Sequence, residues 1–77
     1  MFVIKHQTTK EIKGVLEPIE AVIGKAENLD KAVSQGIDWL KTNKFPVERY
    51  YRYWTEGNVT TVDYGSWSSF LKIYPEN

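Results

Sequence analysis

The chain has 77 residues, with ten basic and ten acidic side chains and no cysteine. That length predicts one small domain, residues 1–77. Zero net charge disfavours general binding to duplex nucleic acid, which requires many phosphate contacts. The lack of cysteine excludes disulfides and thiolate metal sites. Because the first apolar run, Met1 to Ile4, is too short for a signal peptide or a membrane span, we expect a soluble, cytoplasmic protein.

The first 25 residues predict two strands joined by a loop. Residues 2–6 have strand composition, and residues 19–23 contain β-branched side chains and precede Gly24. Pro18 can instead begin a short helix, so residues 12–24 remain open between strand and helix. Residues 7–18 are expected to be largely loop.

Residues 28–42 predict one amphipathic helix. Asn28 suits the N-cap, Asp30 the first turn and Lys41 the last turn. The apolar stripe consists of Leu29, Val33, Gly36 and Leu40. Glycine in the middle of this stripe predicts space for an aromatic ring from the sheet, with a dimer contact as the alternative.

Three further strands are predicted at residues 49–55, 59–64 and 69–74. Gly57-Asn58 fits the centre of a tight hairpin turn between the first two. The predicted fold is α+β, with one amphipathic helix packed on one face of an antiparallel sheet. Its approximate order is ββαβββ, with a C-terminal three-stranded meander.

The hairpin turn predicts which side chains share a sheet face. It places Arg52 opposite Asp63 and Trp54 opposite Thr61, which are favourable cross-strand pairs. Alternation then favours the face with Leu71 and Ile73 as the one under the helix, although parity only ranks the two faces. The opposite face, which we call the aromatic face, has six predicted binding residues: Tyr50, Arg52, Trp54, Phe70, Lys72 and Tyr74.

An open face of aromatic and cationic side chains predicts a recognition surface. We expect a small non-enzymatic module that binds another protein, such as a phage or mobile-element accessory protein that inhibits or modulates a host factor. The alternative is a single-stranded nucleic-acid-binding domain that stacks bases on the same rings. A homodimer joined through this face, or its coverage by residues 7–18 or 75–77, also remains open. No membrane partner is expected.

Catalytic signals are weak. The sequence has no glycine-rich phosphate loop, no paired carboxylates and no metal-ligand cluster, so we expect no enzyme activity, cofactor or metal. The single histidine, His6, is predicted to be a surface residue on an edge strand. A triad of His6 with Asp63 and a nearby serine is disfavoured, because such residues occur by chance in most chains. The serines considered were Ser66, Ser68 and Ser69.

Overall fold

The computed structural model describes residues 1–76, which form five strands and one helix of an α+β domain. In chain order the elements are β1 (Phe2–Ile12), β2 (Val15–Ala26), α1 (Leu29–Thr42), β3 (Arg52–Glu56), β4 (Val59–Asp63) and β5 (Ser69–Pro75). The strands form one antiparallel sheet in the spatial order β2-β1-β5-β4-β3. The last three strands are consecutive neighbours, and the N-terminal hairpin joins them through β1.

The β1–β2 hairpin is longer than the sequence predicted. Residues 7–18 are strand rather than loop, and only Lys13 and Gly14 connect β1 to β2. Both have positive φ, 52° and 80°, which is the conformation that a two-residue hairpin turn requires. The prediction was wrong because charged side chains and Pro18 have low strand propensity, and pairing overrides that preference. Pro18 is tolerated because β2 lies at the edge of the sheet.

The hairpin continues past the rest of the sheet as a two-stranded arm. The last pair between β1 and β5 is Thr8 with Ser69. Beyond that pair β1 has only β2 as a neighbour, and every residue from Thr9 to Val22 is exposed. The strand predicted at residues 19–23 is confirmed as part of β2.

The helix begins and ends where its caps predict. Asn28 is the N-cap, and its Oδ1 accepts a hydrogen bond from the backbone N–H of Lys31 at 2.9 Å. Asp30 lies in the first turn and Lys41 in the last, where each charge opposes the helix dipole end beside it. The buried residues of α1 are Ala32, Val33, Gly36, Ile37 and Leu40.

Gly36 allows close contact between helix and sheet. A Cβ at this position would lie 2.7 Å from Leu71 Cδ1 and 3.4 Å from Ile4 Cγ2. The space is therefore filled by aliphatic side chains, and the prediction of an aromatic ring there is wrong. The reason is that β5 presents Leu71 and Ile73 to the core and places its rings on the other face.

The core lies on one side of the sheet only. Helix α1 contacts β2, β1 and β5. The segment after the helix adds Phe45, Val47 and Tyr51 to the same core. The largest fully buried side chains are Ile4, Leu40, Val62, Tyr64, Leu71 and Ile73.

Candidate functional site

The strand register places most of the aromatic face on one side of the sheet. The predicted hairpin register is confirmed, with Arg52 opposite Asp63 and Trp54 opposite Thr61. Thr61 also pairs with Lys72 of β5. Trp54, Thr61 and Lys72 therefore form one row across three strands, and Phe70 and Tyr74 share their face by alternation.

Tyr50 reaches the same region from a turn rather than a strand. β3 begins at Arg52, so the strand predicted from residue 49 starts three residues later. The Tyr50 side chain is exposed, with the Arg49 guanidinium 5.5 Å from its ring centroid. Tyr50 also lines a hollow of about 210 Å³ with Arg52 and Asp63. The turn thus brings Tyr50 to the Arg52 end of the aromatic face.

Neither segment expected to cover this face does so in the described structure. Apart from the Lys13-Gly14 turn, residues 7–18 belong to β1 and β2, and residues 9–18 are all exposed. Pro75 ends β5, and the backbone N–H of Glu76 donates to the Met1 carbonyl at 2.7 Å, so this end also stays beside the sheet. Asn77 lies outside the described residues. Trp54 is 41% exposed, and Phe70 and Tyr74 are half-buried.

Most cations on this face have a carboxylate partner. Arg52 Nη2 lies 3.2 Å from Asp63 Oδ2, and Lys5 Nζ lies 3.7 Å from Glu20 Oε1. Lys25 pairs with Glu76. Nothing local to residues 1–25 shows that β1 lies beside β5, so the sequence alone did not place Lys5, Glu20 and Lys25 on this face.

Lys72 differs from these three cations. Its Nζ donates to Thr61 Oγ1 at 2.7 Å, and no carboxylate among residues 1–76 lies within ion-pair distance of it. The side chain is half-buried between neighbouring strands. It is therefore the basic group of this face without a counter-charge in the described chain.

Tyr74 is fixed by two neighbouring charges. Its hydroxyl donates to Glu20 Oε2 at 3.0 Å, and Lys5 Nζ lies 4.9 Å from its ring centroid. Burial, followed by the hydrogen bond and the negative charge of Glu20, raises the pKa of Tyr74 above its usual value. The hydrogen bond to Glu20 holds the ring in place.

His6 is buried rather than a surface residue, and that prediction is wrong. β1 lies between β2 and β5, so it is an inner strand and not an edge. His6 is 6% exposed, with Nε2 2.8 Å from the Tyr64 hydroxyl and its ring beside those of Phe45 and Trp39. Burial lowers the pKa of His6 and raises that of Tyr64.

The residues of the disfavoured triad do not converge. Asp63 lies on the aromatic face, where its carboxylate accepts hydrogen bonds from Arg52 and from the Gly65 N–H. His6 points into the core on the opposite side. Ser66 Oγ accepts from the backbone N–H groups of Ser68 and Ser69, which is a loop-stabilising role.

A second pocket, of about 370 Å³, lies beside the core between the segment after α1 and the loop before β5. Its lining includes Phe45, Val47, Tyr64 and Ser69. Among the described residues, every buried side-chain nitrogen and oxygen has a hydrogen-bond partner. The pocket therefore presents no unsatisfied buried group to a reactant.

Wider comparisons do not assign a function. No protein-family model, curated protein or solved structure matches this chain. Within residues 1–76, no group of three or more His, Asp or Glu side chains is placed to hold a metal ion. No helix in that range has the length and apolar character needed to cross a membrane.

Proposed function

We propose that this protein is a non-enzymatic binding module whose aromatic face engages another protein. The observation that carries the proposal is the asymmetry of the sheet. One face lies under α1 and the segment after it, whereas the other presents Trp54, Phe70 and Tyr74 with no described element stacked on them. Trp, Tyr and Arg dominate the energetics of protein interfaces, and exposed apolar patches mark interaction sites.

The charges of the face support a protein partner over single-stranded nucleic acid. Rings such as Trp54 and Phe70 suit base stacking, which is why nucleic acid remains the alternative occupant. A nucleic-acid groove also needs free cations along its length. Here Arg52 and Lys5 are already matched by Asp63 and Glu20. A mixed surface of rings and paired charges resembles a protein interface more closely.

The size and neutrality of the chain suit an accessory protein, such as those that phages and mobile elements encode. Such a protein inhibits or modulates a host factor by covering one of its surfaces. We expect it to act in the cytoplasm. No cofactor or metal is required for this role.

Capture from a cell lysate tests the proposal. Immobilised wild-type protein and the Trp54→Ala variant are compared with and without nuclease, and the bound proteins are identified by mass spectrometry. Trp67→Ala is the matched control, because Trp67 is 92% exposed on the loop before β5 and outside the aromatic face. We expect one nuclease-resistant protein that wild type and Trp67→Ala retain and Trp54→Ala loses.

Folding must be measured on the same variants. Trp54 is partly exposed and faces Thr61, so its replacement is expected to cost about 1 kcal/mol or less. If the Trp54→Ala variant were unfolded, Trp54 would be shown to stabilise the fold, and the proposal would be refuted. Capture that needs intact nucleic acid, and falls steeply with salt, would favour the alternative. A molar mass that rises from the monomer to the dimer value as the protein concentration increases would indicate a homodimer.

A further inference from the structure

Two lysines face each other at the centre of the aromatic face. Lys5 of β1 and Lys72 of β5 are direct cross-strand partners. Like charges placed directly opposite each other destabilise a sheet. Lys5 approaches Glu20 of β2 and the Tyr74 ring of β5, whereas Lys72 donates to Thr61 of β4. Of the two ammonium groups, only that of Lys5 has a carboxylate partner. The pair therefore has an excess of one positive charge.

Aromatic side chains border this excess charge. Trp54 is opposite Thr61, the residue that holds the Lys72 ammonium. Phe70 and Tyr74 are two positions before and after Lys72 on β5, so they lie on the same face. An ammonium group has three donors, and in the described chain Thr61 accepts from one of them. The site therefore offers free donors between apolar surfaces.

We infer that Lys72, assisted by Lys5, binds a carboxylate of the partner protein. The inference rests on the proposed function and specifies its ligand: a segment with an Asp or Glu side chain flanked by apolar residues. The carboxylate pairs with Lys72, and the flanking residues pack on Trp54 and Phe70. One carboxylate balances the single excess charge of the lysine pair. Binding also offsets the repulsion that the pair causes in the free protein.

Two capped tripeptides, acetyl-Leu-Glu-Leu-amide and acetyl-Leu-Gln-Leu-amide, serve as probes in amide NMR titrations. The glutamate peptide is expected to shift the signals of Lys5, Thr61, Lys72 and the Trp54 indole. Loss of a charge-assisted hydrogen bond predicts roughly 10- to 100-fold weaker binding of the glutamine peptide. In Lys72→Gln the two peptides should bind equally weakly.

Lys25→Gln is the matched control. It makes the same change in net charge, but Lys25 already pairs with Glu76 beside this face. It should bind the glutamate peptide within about two-fold of wild type, because a paired surface cation contributes little. Equal affinity of wild type for the two peptides would overturn the inference. An equal loss in Lys25→Gln and Lys72→Gln would also overturn it, by indicating a general charge effect.

The free protein provides a second readout. If Lys5 and Lys72 repel each other, Lys72→Gln should raise the thermal midpoint by about 1–5 °C. A lower midpoint would mean that the bond from Lys72 to Thr61 outweighs the repulsion, and would contradict the inference.

The capture experiment separates this inference from the proposed function. A partner lost by both Trp54→Ala and Lys72→Gln supports both. A partner lost by Trp54→Ala but kept by Lys72→Gln overturns only the carboxylate inference. A partner kept by both variants removes the aromatic face as the binding site.

Discussion

Acidification is expected to destabilise the fold through one side chain, His6. This residue is 6% exposed, and its ring lies 4.8 Å from that of Phe45 and 5.2 Å from that of Trp39, measured between ring centroids. Its cross-strand neighbours are Ala21 and Leu71. None of these four side chains carries a charge that could stabilise an imidazolium, so burial lowers the His6 pKa below 6.5.

The sign and size of the effect follow from this lowered pKa. Above pH 6.5 His6 is mostly neutral in both states, and the folded protein has its full stability. Below pH 6.5 the unfolded chain binds a proton at His6 more readily than the folded chain does. The free energy of unfolding then falls with decreasing pH, by at most about 1.4 kcal/mol per pH unit, until the pH reaches the pKa of the folded state. His6 is the one histidine of the chain, and most carboxylates titrate at lower pH.

Urea unfolding followed by circular dichroism, at steps between about pH 8 and pH 5, measures this slope. His6→Gln is the control, because glutamine can still hydrogen-bond the Tyr64 hydroxyl but does not titrate. Its stability should stay nearly flat over this range. A wild-type curve that is flat below pH 6.5, or an equal slope in His6→Gln, would refute the reasoning.

Three substitutions test the fold itself by urea denaturation. Gly36→Val should lower the free energy of unfolding by about 1–3 kcal/mol, because even a Cβ there would press on buried Leu71. The control, Ser34→Val on the exposed side of α1, should change stability far less. Gly65→Ala should lower the free energy of unfolding by about 1–3 kcal/mol, since Gly65 has a φ of 107° and the Glu48 side chain occupies the Cβ position. An unchanged urea midpoint would contradict this prediction. Asn28→Ala removes the N-cap bond and should cost about 1 kcal/mol, and a neutral result would show that the cap is dispensable.

The elements that the sequence predicted well are those specified by nearby residues. The helix has its N-cap at Asn28 and its apolar stripe at the expected spacing, so three or four turns of local sequence are sufficient to define it. The register of β3 and β4 follows from a turn of two residues, Gly57 and Asn58. That register also placed Arg52 and Trp54 on one face.

The incorrect predictions concern residues whose environment is set by distant parts of the chain. His6 was expected at the surface because nothing in residues 2–6 reveals that β5 will lie beside β1. Its partner Tyr64 is 58 positions away. Residues 7–18 looked like a loop because their strand conformation depends on cross-strand pairing rather than on local propensity.

The candidate site divides in the same way. Alternation along β3 and β5 was enough to select the aromatic side chains, since a strand turns successive residues to opposite faces whatever its neighbours are. The sequence by itself thus determined the helix, the hairpin register and the identity of the rings. Only the tertiary structure decided the insertion of β1 beside β5, and with it the cross-strand pairing of Lys5 with Lys72. Sheet pairing joins residues from opposite ends of the chain, and no local pattern specifies such a contact.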